Sequence, residues 1–213
     1  MSELHQWYQC LAAERAIEAL KKNNFDARFF PKAAEALAEF WKMVPDGATI
    51  GIGGSLTLTQ IGFLDEVKDR PVKFLSPFVK GLSAEEVDRI CREILTADFF
   101  VASSNAITED GKLYNIDATG NRVAPMIFGP RKVVLFCGVN KIVKDIDEAR
   151  RIVQERVSPM NVKRRGYKAP CGTTGDCSDC SSPGRICNAY VVLAKRPRLS
   201  DISVFIIGES LGL

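Results

Sequence analysis

Cys171, Cys177, Cys180 and Cys187 fall in one short stretch, CGTTGDCSDCSSPGRIC, with five, two and six residues between them. Core packing does not explain four thiols in a segment of Gly, Ser, Asp and Pro. Disulfides fit poorly, because the chain reads as cytoplasmic and its seven cysteines are an odd number. A structural zinc suits the sulfur donors, although zinc ribbons usually carry two C-x-x-C pairs and this loop carries one. A 4Fe–4S cluster accepts asymmetric thiolate spacing, and a glycine-rich loop can turn backbone N–H groups toward its sulfides. Lys163, Arg164, Arg165, Lys168, Arg185, Lys195, Arg196 and Arg198 surround the loop against only Asp176 and Asp179, a charge that would offset an anionic cluster. The four cysteines are therefore expected to hold a 4Fe–4S cluster, with zinc as the alternative. The remaining three, Cys10, Cys91 and Cys137, read as small buried hydrophobes.

A second candidate is the turn in GIGGSLT, where glycines and a Ser/Thr-capped helix start follow a short apolar run. Bare backbone N–H groups there would favour a carboxylate or phosphate. The turn lacks the Gly-Lys-Ser/Thr ending of a phosphate-binding P-loop, and the next strand offers no ribose-binding acid, so a nucleotide site is not indicated. The alternative is a tight turn with no ligand. A third candidate is the polar segment NAITEDGKLYNIDATGNR, whose Asn105, Glu109, Asp117, Thr119, Asn121 and Arg122 could line the mouth of a sheet or simply make turns. The single histidine, His5, makes Ser–His–Asp and Cys–His chemistry improbable. Proton transfer then falls to carboxylates, lysine, tyrosine or metal-bound water.

The elements that must position these groups alternate. Leu4, Trp7, Leu11, Ile17 and Leu20 predict an N-terminal helix, followed by a strand over Asp26–Phe30 and a helix entered at Pro31. Ala48–Ile52, VKFL, FFVAS and KVVLFC read as buried strands, as do AYVVLA and ISVFIIGE near the end. Ser83 with Glu86, and Asp145 with Glu148, mark helix starts, and Asp110-Gly111 the turn of a hairpin. The pattern predicts an α/β fold with an open, mostly parallel sheet flanked by helices and a C-terminal cysteine-rich metal loop. One domain over residues 1–213 is expected, with 163–188 as the basic cysteine loop. The 213 residues are 46% hydrophobic and 26% charged, with net charge +3, too weak to imply nucleic acid or a membrane surface. No stretch approaches a membrane span, and the opening MSELHQWYQC lacks a secretory pattern, so a cytoplasmic location is expected.

Three segments together carry a family resemblance: GIGGSLTLTQIG, SSNAITEDGKLYNIDATGNRVAPMIFGPRKVVLFCGVNKIV and PCGTTGDCSDCSSPGRICN. The chain resembles the lactate-utilisation (LUD) domain family, and is more similar to its small stand-alone members with a C-terminal cysteine motif. It lacks the paired ferredoxin-like cysteine motifs of the larger members. The resemblance implies a NagB/RpiA/CoA-transferase-like fold in which the glycine turn and the polar hairpin face one ligand cleft. Gly51, Gly53, Gly54, Ser55 and Thr57 match the turn, and Asn105, Asp117, Gly120 and Asn121 the hairpin segment.

The expected function is an iron–sulfur protein that binds a small carboxylate, phosphate or hydroxy acid in a cleft beside a 4Fe–4S cluster. Its chemistry would be redox or Lewis-acid, as an oxidoreductase component or a hydroxy-acid-acting enzyme. Lys141 and Arg185 would neutralise the carboxylate, and Asp117 would accept a proton. The alternative is a non-catalytic ligand-binding or redox-partner docking domain stapled by zinc. The cysteine loop should fold over the carboxyl ends of the strands, near Gly54, before returning to the sheet as AYVVLA. A redox partner protein or a second copy of the chain are the further partners this reading allows.

Overall fold

Six apolar runs of three to seven residues pair in parallel: β1 (Asp26–Phe30), β2 (Thr49–Ile52), β3 (Lys73–Leu75), β4 (Phe99–Ala102), β7 (Lys132–Gly138) and β10 (Asp201–Ile207). The computed structural model describes residues 3–213, without the side chains of residues 3, 5 and 6. The first two residues of the polar opening and the His5 side chain thus lie outside the described residues. The strand order is β1-β10-β7-β4-β2-β3, every pair parallel. Such strands are apolar on both faces because both faces are covered. Along β7, Val133, Leu135 and Cys137 enter one core with Leu20 and Ala16 of α1 (Glu3–Lys22). Val134 and Phe136 enter the opposite core, where they meet Leu37 and Phe40 of α2 (Ala33–Met43).

The hairpin builds a second sheet. Its strands β5 (Ala106–Thr108) and β6 (Leu113–Asp117) pair antiparallel, and Gly111 takes the turn with φ +80°. β8 (Ile142–Val143) joins β5, and β9 (Ala189–Leu193) joins β6. AYVVLA therefore returns to this small sheet and not to the parallel one. Its side chains alternate between half-buried and exposed, as suits an edge strand with one open face. Ile107, Leu113 and Leu193 fill the core shared with α1, while Ala106, Tyr114 and Ile116 face outward into a third core. That third core is closed by Ala149, Val153, Val157 and Val162, and by Ile186 and Cys187 of the cysteine loop.

Helix entries follow the sequence in most places. Ser83 and Glu86 exchange both capping-box bonds at the start of α5 (Ala84–Ile94), and Asp145 caps α7 (Ile146–Ile152). Pro31 stands before α2 and not at its first turn, because Lys32 takes the cap position in extended conformation. Ser55 precedes α3 (Leu56–Gln60) without making a side-chain cap bond. The helix begun at Asp145 runs on through a π turn, Val153–Val157, into α8 (Ser158–Arg165). Pro159 lacks the N–H of a regular helix, and Ser158 Oγ bonds the Val153 carbonyl at 2.7 Å in the widened turn.

Candidate functional site

The carboxyl ends of β2, β4 and β7 open into a cleft of about 800 Å³. Open α/β sheets bind ligands at this edge, where the loops leaving several strands converge. Of the residues expected at the site, Gly54, Ser55, Thr57, Asn105, Asp117, Asn121 and Lys141 all reach its wall. The loop after β4 adds Ser103 and Ser104, and the end of α8 adds Arg164 and Arg165.

Lys141 is the chemical centre. It sits in the short turn after β7 and is buried, 7% exposed. Its Nζ donates to Ser103 Oγ at 2.9 Å and to the Ser104 carbonyl at 3.0 Å. Among the described residues no carboxylate pairs with it. Burial pushes its ammonium down to about 8, with the Arg122 charge adding to the effect and Cys137 opposing it. Nearby, Thr57 is fully buried and its hydroxyl has no hydrogen-bond partner. Gly212 explains how the corner stays open: a Cβ there would lie 2.6 Å from Thr57 Oγ1 and 3.0 Å from Lys141 Nζ.

Arg122 organises the opposite wall. Its guanidinium donates to the carbonyls of Ser103 and Ile116 and to the side-chain oxygens of Asn105 and Asn115. Its Nε faces Asp117 Oδ2 at 3.5 Å. Burial lowers its affinity for the proton while Asp117 raises it. Asp117 is correspondingly occupied, because Oδ1 accepts the backbone N–H groups of Thr119 and Gly120. These bonds engage the carboxylate in shaping the turn and holding Arg122. Asn105 is held the same way, its oxygen taken by Ile116 N–H and Arg122. Asn121 donates to Cys91 Sγ at 3.5 Å, so Cys91 lies on the cleft wall and is not a core hydrophobe.

The glycine turn divides by role. A Cβ on Gly51 would strike Ile94, and one on Gly53 would strike Phe100 and Arg122, so these two glycines serve packing and do not reach the wall. A Cβ on Gly54 would meet Phe78 at 2.6 Å and the Arg165 guanidinium at 2.7 Å. Arg165 stacks over the Phe78 ring, 5.1 Å from its centroid, at the rim. Helix α3, only five residues long, adds little dipole to the turn. Ser103, Ser104 and Asn115 carry no mark of their own in the sequence, and Arg165 reads there as a neighbour of the cysteine loop, not as part of a cleft. The polar triplet Ser103-Ser104-Asn105 directly after a fully buried strand was the available signal.

The cysteine loop borders the cleft without entering it. Tyr167 and Ile186 line the wall, but none of the four cysteines does. Arg185 is also absent from the wall; it donates to the carbonyls of Cys180 and Cys187 and pairs with Asp179 at 2.7 Å. It staples the loop and does not face a ligand. Cys171, Cys180 and Cys187 pack in one core, and Cys177 is exposed. Burial raises the Cys171 thiol, and Cys180 and Cys177 add to it; burial raises Cys187 likewise, with the other three thiols adding against Arg185. Among the described residues no three Cys, Asp, Glu or His side chains stand in metal-ligating geometry. The donor set nonetheless suits a thiophilic group: four thiols gather on one loop, and the buried Tyr114 hydroxyl in the same core has no partner.

A family model described as LUD domain matches residues 13–207. The fold is similar to a crystal structure of a DUF162 family protein from Deinococcus radiodurans, with TM-score 0.53 and 13% identity over 93% of this chain and 98% of that one. No curated protein matches the chain.

Proposed function

The chain belongs to the LUD domain family, and from that premise we propose that its cleft binds a small carboxylate of the hydroxy-acid or oxo-acid class. The observation that carries this reading is Lys141, a cation buried on the cleft wall with only neutral oxygen partners. A buried charge without a counter-charge is costly, and a ligand carboxylate would supply one. Thr57 adds an unengaged hydroxyl beside it, and Arg164 and Arg165 extend the positive field to the rim. In this reading the arginines draw the anion in, Lys141 and Thr57 hold its inner oxygens, and Arg122 keeps the wall in register through Asn105, Asn115 and Asp117. Ser103 bonds Lys141 and fixes the direction of its Nζ. Titration with L-lactate and pyruvate by calorimetry tests the site. Binding should weaken at least tenfold in Lys141→Met, and no binding by the wild-type chain overturns the reading.

Cys171, Cys177, Cys180 and Cys187 are the residues that would hold a 4Fe–4S cluster, which supplies one-electron transfer when bound. Their position behind Ile186, off the cleft wall, favours electron relay or loop stability over direct contact with substrate. The exposure of Cys177 and the stapling by Arg185 support a second reading, a docking domain whose loop is tied by structural zinc. Metal and acid-labile sulfide analysis of anaerobically purified protein separates the two. Iron with sulfide supports the cluster, and zinc without sulfide supports the staple.

A further inference from the structure

We propose that Lys141 forms an imine with the carbonyl carbon of a small 2-oxo acid, which makes this cleft a carbinolamine- and imine-forming site. The inference rests on the reading that the cleft takes a small carboxylate, and it names the substrate class and the bond.

Four observations carry it. Lys141 is the only lysine on the cleft wall among the described residues. A neutral amine has two N–H bonds and one lone pair, and the two acceptors of Lys141 Nζ, Ser103 Oγ and the Ser104 carbonyl, use both N–H bonds. The lone pair is left without a protein donor. Gly212 borders the amine, and a Cβ there would lie 3.0 Å from Nζ, so the missing side chain keeps the corner clear. Finally, desolvation with a neighbouring cation, here Arg122, is the environment that turns a lysine into a nucleophile at neutral pH.

The step balances without an oxidant or reductant. The Nζ lone pair attacks the ketone carbon, and the C–O π electrons move to oxygen, giving a carbinolamine after proton transfer from nitrogen to oxygen. Loss of that oxygen as water, with a proton from solvent or the Ser103 hydroxyl, leaves a protonated C=N bond. Thr57, whose hydroxyl lies in the same corner without a partner, would hold an oxygen of the substrate carboxylate meanwhile, with Arg164 and Arg165 supplying positive charge from the rim. Ser103, bonded to Nζ, is a positioning residue and the nearest side-chain oxygen for proton movement.

The test is reductive trapping of the full-length protein. Incubation with pyruvate and cyanoborohydride should add one reduced adduct per chain, and peptide fragmentation should place it on Lys141. Lys144→Met, a change at an exposed neighbour, should keep the adduct, and Lys141→Arg should lose it. Mapping in the wild-type chain decides the question even if the variant folds poorly. An adduct spread over surface lysines, or none at all while calorimetry still detects pyruvate, overturns the imine and leaves the carboxylate site standing. Absence of pyruvate binding overturns both.

Discussion

Burying Lys141 without a carboxylate costs free energy in the unliganded protein, and the sign of its pH dependence follows. Its folded value of about 8 lies below the ordinary 10.5 of a lysine, so the unfolded chain binds the proton more tightly. The penalty is fully present below pH 8 and disappears as the pH rises through 8 toward 10.5. Its upper bound is about 3 kcal/mol. Lys141→Met should therefore raise the melting temperature at pH 7, with a gain that shrinks by pH 10; an equal gain at both pH values would contradict the burial cost. Arg122 is the opposite case. It is half-buried but fully paired, and Arg122→Met strands Asp117, Asn105 and Asn115 together. Breaking such a pair costs about 3–5 kcal/mol. Chemical denaturation should show a loss of that size, and a loss under about 1 kcal/mol would mean the network is ornamental.

At the scale of elements, the strand–turn–helix after β2 shows how neighbouring glycines differ. Gly53 faces Phe100, which is fully buried, and the stem of Arg122, so Gly53→Ala forces the core and should destabilise by about 2–3 kcal/mol. Gly54 faces Phe78 and Arg165 at the rim, and these side chains can swing away. Gly54→Ala should leave stability within about 1 kcal/mol of wild type while weakening carboxylate binding, because it displaces Arg165. Equal destabilisation by the two substitutions would refute this division of roles. Under the proposal that the cysteine loop holds a metal or cluster, its folding is coupled to that binding. Cys177→Ser or Cys180→Ser should then abolish metal binding and expose the edge of β9, since Ile186 and Cys187 close the core under β6. Faster amide exchange in β9 than in β10 would report that loosening.

At the scale of the whole molecule, three layers stack on the parallel sheet: α2 on one face, then α1 with the hairpin sheet on the other, then α7, α8 and the cysteine loop. The cleft opens where the carboxyl ends of the parallel strands meet the end of β6. Lys141, Arg164 and Arg165 all lack carboxylate partners among the described residues, so the cleft carries excess positive charge over a chain of net charge only +3. Anion binding should weaken as salt rises from 0.05 to 0.5 M by an amount that Arg165→Gln reduces, since screening acts most on the exposed rim. Salt-independent binding would locate the affinity in apolar contacts instead. No helix among the described residues is long and apolar enough to cross a membrane.

What the sequence determined was local. Apolar runs of four to seven residues, Ser83-Glu86 and Asp145-Glu148 at helix starts, Asp110-Gly111 at a turn and four thiols in one loop depend on near neighbours in the chain, and each was legible there. The glycine turn, the polar hairpin and Lys141 could be named as candidates for the same reason. Tertiary structure decided which of them meet. AYVVLA reads as a buried strand in either sheet, and only pairing with β6 makes it an edge. Asp117 reads as a base until Arg122 and two backbone N–H groups take its oxygens. Gly53 and Gly54 are identical in sequence and differ only in what lies opposite. Arg185 is one basic residue among many until the loop folds its guanidinium onto the carbonyls of Cys180 and Cys187. Each of these outcomes depends on partners tens of residues away, and no pattern of adjacent residue types encodes such a distance.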